Sequence, residues 1–115
     1  MKGKIKYSVD FRIWIYSNQE KLLGKGRIEL LERIQETGSI SSAAKEMKMS
    51  YRQAWQMVEE MNARVEKPLV EKQLGGKNGG GTVVTNEGEK WIQLFYNLNE
   101  KINSFVQKEV KKLKL

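Results

Sequence analysis

The sequence contains neither cysteine nor histidine, and these two absences exclude much of the chemistry that small proteins carry. Without cysteine there is no disulfide framework, no thiolate zinc site and no cysteine nucleophile. Without histidine the chain lacks the commonest general base and the commonest transition-metal ligand. The acidic residues are scattered at positions typical of a solvated surface. We therefore expect no catalytic residues, no metal site and no cofactor, and a protein that is not an enzyme.

Long apolar runs are missing as well. No segment approaches the roughly 20 consecutive apolar residues that a membrane-spanning helix needs. The N-terminus, Met1 to Lys4, is basic, but an alternating segment follows it instead of the apolar stretch of a signal peptide. The sequence therefore predicts a cytoplasmic protein with no membrane association.

Basic residues are in excess. The chain has 21 Lys and Arg residues against 14 Asp and Glu residues, which gives a net charge of +7. A small basic protein usually has an anionic partner, either nucleic acid or an acidic membrane surface. The 39% of hydrophobic residues suffices for a packed core, and a length of 115 residues fits one domain, which we place at 1–115.

The first regular pattern is an alternation of apolar and polar residues from Lys4 to Tyr16. A period of two, with β-branched and aromatic residues on one face, predicts a strand within residues 1–18. The apolar face of this strand comprises Ile5, Tyr7, Val9, Phe11, Ile13 and Ile15.

Residues 26–67 then carry a helical period, which predicts a core of three helices. The first runs from about Gly26 to Thr37, and Gly38 suits the left-handed residue that follows a helix end. A short second helix, capped by Ser39 or Ser41, reaches about Met47.

The third helix starts at Ser50 and ends before Pro68. Ser50 and Gln53 have the spacing of a capping box, in which a serine hydroxyl accepts the backbone N–H three residues on. Ala54, Val58 and Met61 share the apolar face of this helix. Trp55 lies one position from that face, and core packing is its favoured role.

A hairpin and a long helix complete the pattern. Leu69–Leu74 and Thr82–Val84 are β-prone and flank a glycine-rich stretch, so residues 69–84 are predicted to form a hairpin. Thr85 caps a last helix over 85–114. Its apolar stripe is longer than a small core needs and predicts a homodimer. The residues assigned to dimerisation are Trp91, Phe95, Leu98, Ile102 and Phe105.

Two helices joined by a tight turn and followed by a hairpin predict a winged helix-turn-helix, a mainly α fold with a small β-sheet (α+β). The fold would carry an N-terminal strand and a long C-terminal dimerisation helix. In this fold the second helix of the pair enters the DNA major groove, where Arg can bond guanine and Gln can bond adenine. The candidate DNA-binding residues are Ser50, Tyr51, Arg52, Gln53 and Gln56 on the helix and Lys72, Lys77 and Asn78 in the hairpin.

Each of these candidates also has a plainer interpretation. Ser50 and Gln53 can serve only to cap the helix, and Arg52 and Gln56 can form a solvated face. The glycine-rich hairpin can be a loop without a function. We favour DNA contact, because all of these residues fall within one recognisable constellation.

Residues 22–98 resemble the N-terminal DNA-binding domain of the molybdate-responsive ModE family, which is related to the LysR-type helix-turn-helix. The matching stretches are Thr37 to Ser41 with Ala43 and Ala44, Met49 to Trp55, Pro68 to Glu71, the glycines around Lys77, and Thr85 with Gly88. The resemblance implies a winged-helix domain that dimerises and binds palindromic double-stranded promoter DNA.

The chain departs from the family pattern at its C-terminal end. Full-length members carry molybdate-binding β-barrel domains, for which the residues after the long helix leave no room, so we expect a regulator without a molybdate-binding domain. The alternative is a protein–protein interaction module, since winged helices also bind proteins. The basic charge balance argues mildly for DNA.

Overall fold

A computed structural model describes residues 3–73 and 81–113. Its helices are α1 (Lys25–Thr37), α2 (Ile40–Glu46), α3 (Tyr51–Ala63) and α4 (Asn86–Val110), with a 3₁₀ turn at Lys111–Leu113. The strands are β1 (Ile15–Ser17), β2 (Glu20–Leu23), β3 (Val70–Gln73) and β4 (Gly81–Val84), paired as two antiparallel hairpins. This is the winged helix-turn-helix that the sequence predicts.

The apolar core lies where α1, α2 and α3 meet. Leu30, Leu31 and Ile34 of α1 are fully buried, and Leu22 and Leu23 of β2 join them. Small residues let α2 and α3 approach closely, since Ala43, Ala44 and Ala54 are buried where the two helices pack. Gly38 ends α1 with a φ of 71°, as predicted, and Ser39 caps α2 by accepting a hydrogen bond from Ser42 N.

Arginine–carboxylate pairs fix the three helices against one another. Arg33 of α1 reaches Glu46 of α2 at 2.8 Å and Glu29 of its own helix at 3.0 Å. These hydrogen bonds, to Glu46 first, raise the pKa of Arg33 above its ordinary value. Arg27 of α1 reaches Glu60 of α3 at 2.7 Å. The Arg27–Glu60 pair connects α1 to α3, which bears most of the candidate site.

The predicted N-terminal strand is wrong for most of its length. Only Ile15–Ser17 is a strand, and it pairs with β2, which the sequence analysis missed. Asn18 and Gln19 form the two-residue turn with φ values of 47° and 68°, the sign that a type I′ hairpin needs. Because β2 has four residues, the chain before Ile15 finds no partner strand there. Ile5 and Tyr7 are consequently 61% and 56% exposed.

The α3 helix also ends earlier than predicted, at Ala63 and not near Pro68. The Asn62 side chain turns back onto the chain that follows: its Oδ1 accepts from Leu69 N at 2.8 Å, and its Nδ2 donates to Val70 O at 2.9 Å. The Ser17 hydroxyl donates to the Arg64 carbonyl at 2.6 Å. These contacts replace the helical hydrogen bonds that residues 64–67 would otherwise make.

The β3–β4 hairpin, hereafter the wing, joins directly to α4. Thr85 accepts from Gly88 N at 3.0 Å and so caps α4, as predicted, while its own N–H donates to Leu69 O at 2.9 Å. Gly88 is buried against the wing, where a Cβ would collide with the Leu69 carbonyl oxygen and come within 2.6 Å of Val84 Cγ1. The first turn of α4 can therefore lie this close to the wing only because residue 88 is a glycine.

The first half of α4 is hydrogen-bonded to α1. Gln35 of α1 donates to Glu89, and the Tyr96 hydroxyl donates to Glu32 of α1 at 2.7 Å. Partial burial and this hydrogen bond raise the pKa of Tyr96 to about 12.

None of the helices in residues 3–73 and 81–113 combines the length and the hydrophobicity needed to cross a bilayer.

Candidate nucleic-acid interface

The first turn of α3 presents a row of polar side chains to solvent. Ser50 caps the helix by accepting from Gln53 N at 3.0 Å, which fixes where the first turn begins. Ala54, Val58 and Met61 turn inward and are buried. The rest of this turn is exposed, and it carries every residue predicted here for DNA contact, namely Ser50 at the cap and Tyr51, Arg52, Gln53 and Gln56 on the helix.

Arg52 differs from the other arginines in its pairing. The chain has arginines at 12, 27, 33, 52 and 64. Arg12, Arg27, Arg33 and Arg64 each lie within 3.0 Å of a carboxylate oxygen. Among residues 3–73 and 81–113, Arg52 has no such carboxylate partner. Its guanidinium is therefore available for an external anion or a base edge.

The wing is held at a fixed position beside the helix-turn-helix. Thr82 N of β4 donates to the Gly38 carbonyl, in the turn between α1 and α2, at 2.9 Å. A Cβ on Gly81 would come within 2.8 Å of that same oxygen, so glycine permits the contact. The β4 strand of the wing is thus attached to the turn between α1 and α2.

A groove of about 530 Å³ separates α3 from the wing. Tyr51, Trp55 and Asn62 line it from α3, and Lys72 lines it from β3. The structure thus brings Lys72, which is exposed, to the same surface as the exposed side of α3. The two other wing residues predicted for DNA contact, Lys77 and Asn78, lie outside the described residues.

The expected core role of Trp55 is wrong, because its side chain is 44% exposed in this groove. The neighbouring Ala54 occupies the buried position, where α2 approaches too closely for a bulky side chain. The spacing between Tyr51 and Trp55 is the signal that could have revealed this, since residues four apart share one helix face. Tyr51 is itself 55% exposed.

The five residues assigned to dimerisation divide into two groups. Phe95 is 5% exposed, and Trp91 packs against the same core, so these two belong largely to the protomer's own interior. Leu98 and Phe105 are 39% and 58% exposed, and Ile102 is half-buried. Leu94, which was not in the assigned set, is 47% exposed.

The order of elements and the position of the wing agree with comparisons to known proteins. The profile of the bacterial regulatory helix-turn-helix proteins of the lysR family matches residues 26–89. The chain belongs to this family. A crystal structure of a LysR family transcriptional regulator matches the fold with a TM-score of 0.53 at 20% identity, over 78% of this chain and 30% of that one.

Relatives within this family are more similar in sequence. The transcriptional regulator ModE of Haemophilus influenzae is 42% identical over 88 residues, which are 76% of this chain and 34% of that protein. The dual regulator ModE of Escherichia coli K12 is 47% identical over 78 residues, 67% of this chain and 30% of the relative. The molybdenum-pterin-binding protein MopB of Rhodobacter capsulatus is 47% identical over 73 residues, 64% of this chain and 27% of the relative. These identities confirm the resemblance to ModE, over about a third of the relatives' length.

Proposed function

We propose that the chain binds double-stranded DNA with sequence preference, as a homodimer on palindromic sites, and regulates transcription. The observation that carries the proposal is the exposed first turn of α3 beside a wing fixed to the helix-turn-helix by the Thr82–Gly38 hydrogen bond. An exposed helix and a wing on one surface suit a major groove and the phosphates that flank it. A role of this kind places the protein in the cytoplasm.

The side chains on this surface have the chemistry that DNA requires. Arg52 can bond bidentately to guanine, and Gln53 and Gln56 can bond to adenine. Ser50 lies at the helix N-terminus, where its hydroxyl and the positive end of the helix dipole favour a phosphate. Lys72 can neutralise a second phosphate from the wing, so the surface combines groups that select bases with groups that bind the backbone.

Internal pairing of charges supports the same assignment. Arg27, Arg33 and Arg64 are each engaged with carboxylates, and Arg64 pairs with Glu20 at 2.8 Å. A chain with a net charge of +7 therefore uses these arginines to hold its helices and hairpins together. Arg52 and Lys72 remain to interact with an external polyanion, which is the arrangement expected of a DNA-binding surface.

Selection from a random pool of duplex DNA tests the proposal. We expect enrichment of a palindromic site whose half-sites lie about 34 Å apart, one turn of the double helix. Affinity for this site should fall steeply as the salt concentration rises, because bound phosphates release counterions. Recovery of no enriched sequence, with equal affinity for every duplex, would contradict sequence-dependent binding.

A further inference from the structure

Two exposed aromatic side chains form a patch on the side of α3 that faces the wing. Tyr51 is 55% exposed and Trp55 is 44% exposed. They lie four residues apart, so they are neighbours on one helix face. Both line the groove between α3 and the wing. Adjacent exposed aromatic side chains of this size mark a contact surface more often than chance exposure does.

The α3 wall of this groove is poorly suited to phosphate. Besides Tyr51 and Trp55, α3 lines the groove with Val58, Glu59 and Asn62, so the wall carries no cation. The exposed Glu59 carboxylate lies one turn after Trp55 and would repel a phosphate. The opposite wall carries Lys72, so a phosphate suits that wall, whereas the aromatic patch on α3 suits an apolar group.

If α3 occupies the major groove, the chemistry of that groove identifies the ligand. The edges of the base pairs there present hydrogen-bond donors and acceptors, and the C5-methyl group of thymine is their apolar group. We propose that Trp55, flanked by Tyr51, contacts thymine C5-methyl groups and so determines sequence specificity for A·T pairs beside the base pair that Arg52 contacts. This inference rests on the proposed function, because it requires α3 to bind DNA.

Replacement of thymine by uracil tests the proposal directly, because uracil lacks only the methyl group. In the site selected by the wild-type protein, each thymine of one half-site is replaced singly by uracil, and the dissociation constant is measured. At the thymine that Trp55 contacts, we expect uracil to weaken wild-type binding about fourfold, which is the effect of burying one methyl group. The other thymines of the half-site serve as internal controls.

Variants of Trp55 then test whether this side chain makes the contact with the thymine methyl group. Trp55→Ala should bind the thymine and uracil sites with equal affinity, whereas Trp55→Phe, which keeps an apolar ring, should retain part of the discrimination. Arg52→Ala provides a matched control on the same helix. This variant should lower the affinity for both the thymine and the uracil site. The ratio of the two dissociation constants should stay at about four, because Arg52 makes a different contact. Circular dichroism confirms that each variant is folded.

The possible results distinguish a failure of this inference from a failure of the proposed function. The inference fails if wild-type protein selects a site but binds its uracil versions equally well, or if Trp55→Ala keeps the fourfold ratio. It also fails if Trp55→Ala loses the same affinity on selected and random DNA, which would place the indole against the sugar–phosphate backbone. In these cases sequence-dependent binding stands. If the wild-type protein selects no site, the proposed function fails as well.

Discussion

At the scale of single residues, the structure separates side chains that hold the fold from side chains that are free to bind. Arg27 and Arg33 connect α1 to α3 and α2 through carboxylates at 2.7 and 2.8 Å. Loss of Arg27 would leave the partly buried Glu60 carboxylate without its partner, whereas the Arg33–Glu46 pair is exposed and contributes less. Arg52 faces solvent at the start of α3, so its loss should affect binding and not folding.

We predict that Arg52→Ala weakens binding to the selected site by about 1–3 kcal/mol and relaxes the preference at one base pair of each half-site. The reason is the bidentate hydrogen bonding that a guanidinium offers to guanine. Affinity for every base at each position, measured for both proteins, checks this. Arg12→Ala removes the same charge from the N-terminal segment and is the control. Equal losses on selected and random DNA would show that Arg52 contacts only phosphate.

Among the glycines of residues 3–73 and 81–113, Gly88 leaves the least room for an added carbon. A methyl group there meets the Leu69 carbonyl oxygen and Val84 Cγ1, so we predict that Gly88→Ala lowers the free energy of unfolding by about 1–2 kcal/mol. Gly26→Ala is the matched control, because a Cβ at Gly26 in α1 has nothing within 4 Å. It should raise the stability by up to about 1 kcal/mol. Urea unfolding at one protein concentration compares the two, and equal effects would contradict the close contact.

At the scale of secondary-structure elements, the helices were predictable and the N-terminal strand was not. Gly38, Ser50 and Thr85 marked three helix boundaries correctly because these depend on neighbouring residues, whereas the end of α3 depends on the Ser17 and Asn62 hydrogen bonds and was missed. A strand needs a partner, and alternation within one segment carries no information about whether another segment pairs with it. The exposure of Trp55 was missed although its spacing from Tyr51 indicates a shared helix face.

The exposure of the candidate site residues was predictable in part. The exposed residues of α3 follow from the position of its buried face, because a helix places opposite faces at fixed angular intervals. The groove between α3 and the wing depends instead on a distant contact, the hydrogen bond from Thr82 N to the Gly38 carbonyl. Nothing local in the sequence specifies that pairing, so the position of Lys72 relative to α3 required the structure.

The wing should contribute affinity without sequence preference. We predict that Lys72→Ala weakens binding to selected and random DNA alike and reduces the slope of log affinity against log salt by about 0.9, the value for one lost phosphate contact. Lys67→Ala is the charge-matched control, because Lys67 lines a different cleft, beside Trp91 and the β1–β2 hairpin. Its slope should match the wild type. An unchanged slope for Lys72→Ala would exclude this lysine from the interface.

At the scale of the whole molecule, the chain is more extended than a compact domain of its size. Its radius of gyration is 18.1 Å, whereas a compact domain of 115 residues has about 13 Å. The length of α4 contributes, because this helix runs for 25 residues and contacts α1 mainly through its first half. The second half keeps an apolar stripe with Leu98 and Phe105 exposed. A solvent-facing stripe of this kind is costly and is commonly covered by a second copy of the same chain.

Under the proposed function, specific binding depends on dimerisation through α4. One protomer carries a single α3 and would bind few base pairs, so its affinity should approach the non-specific range of about 10⁻⁴–10⁻⁶ M. We predict that changing Leu98 and Ile102 together to Glu produces monomers and abolishes specific binding. The α3 helix should remain folded, because Ala54, Val58 and Met61 pack in the protomer's own core. The control variant changes Ser104 and Gln107 together to Glu. These two residues are exposed on the opposite face of α4. Sedimentation equilibrium decides the outcome: a wild-type mass near 13.3 kDa at micromolar concentration, together with intact binding to a palindrome, would contradict the dimer.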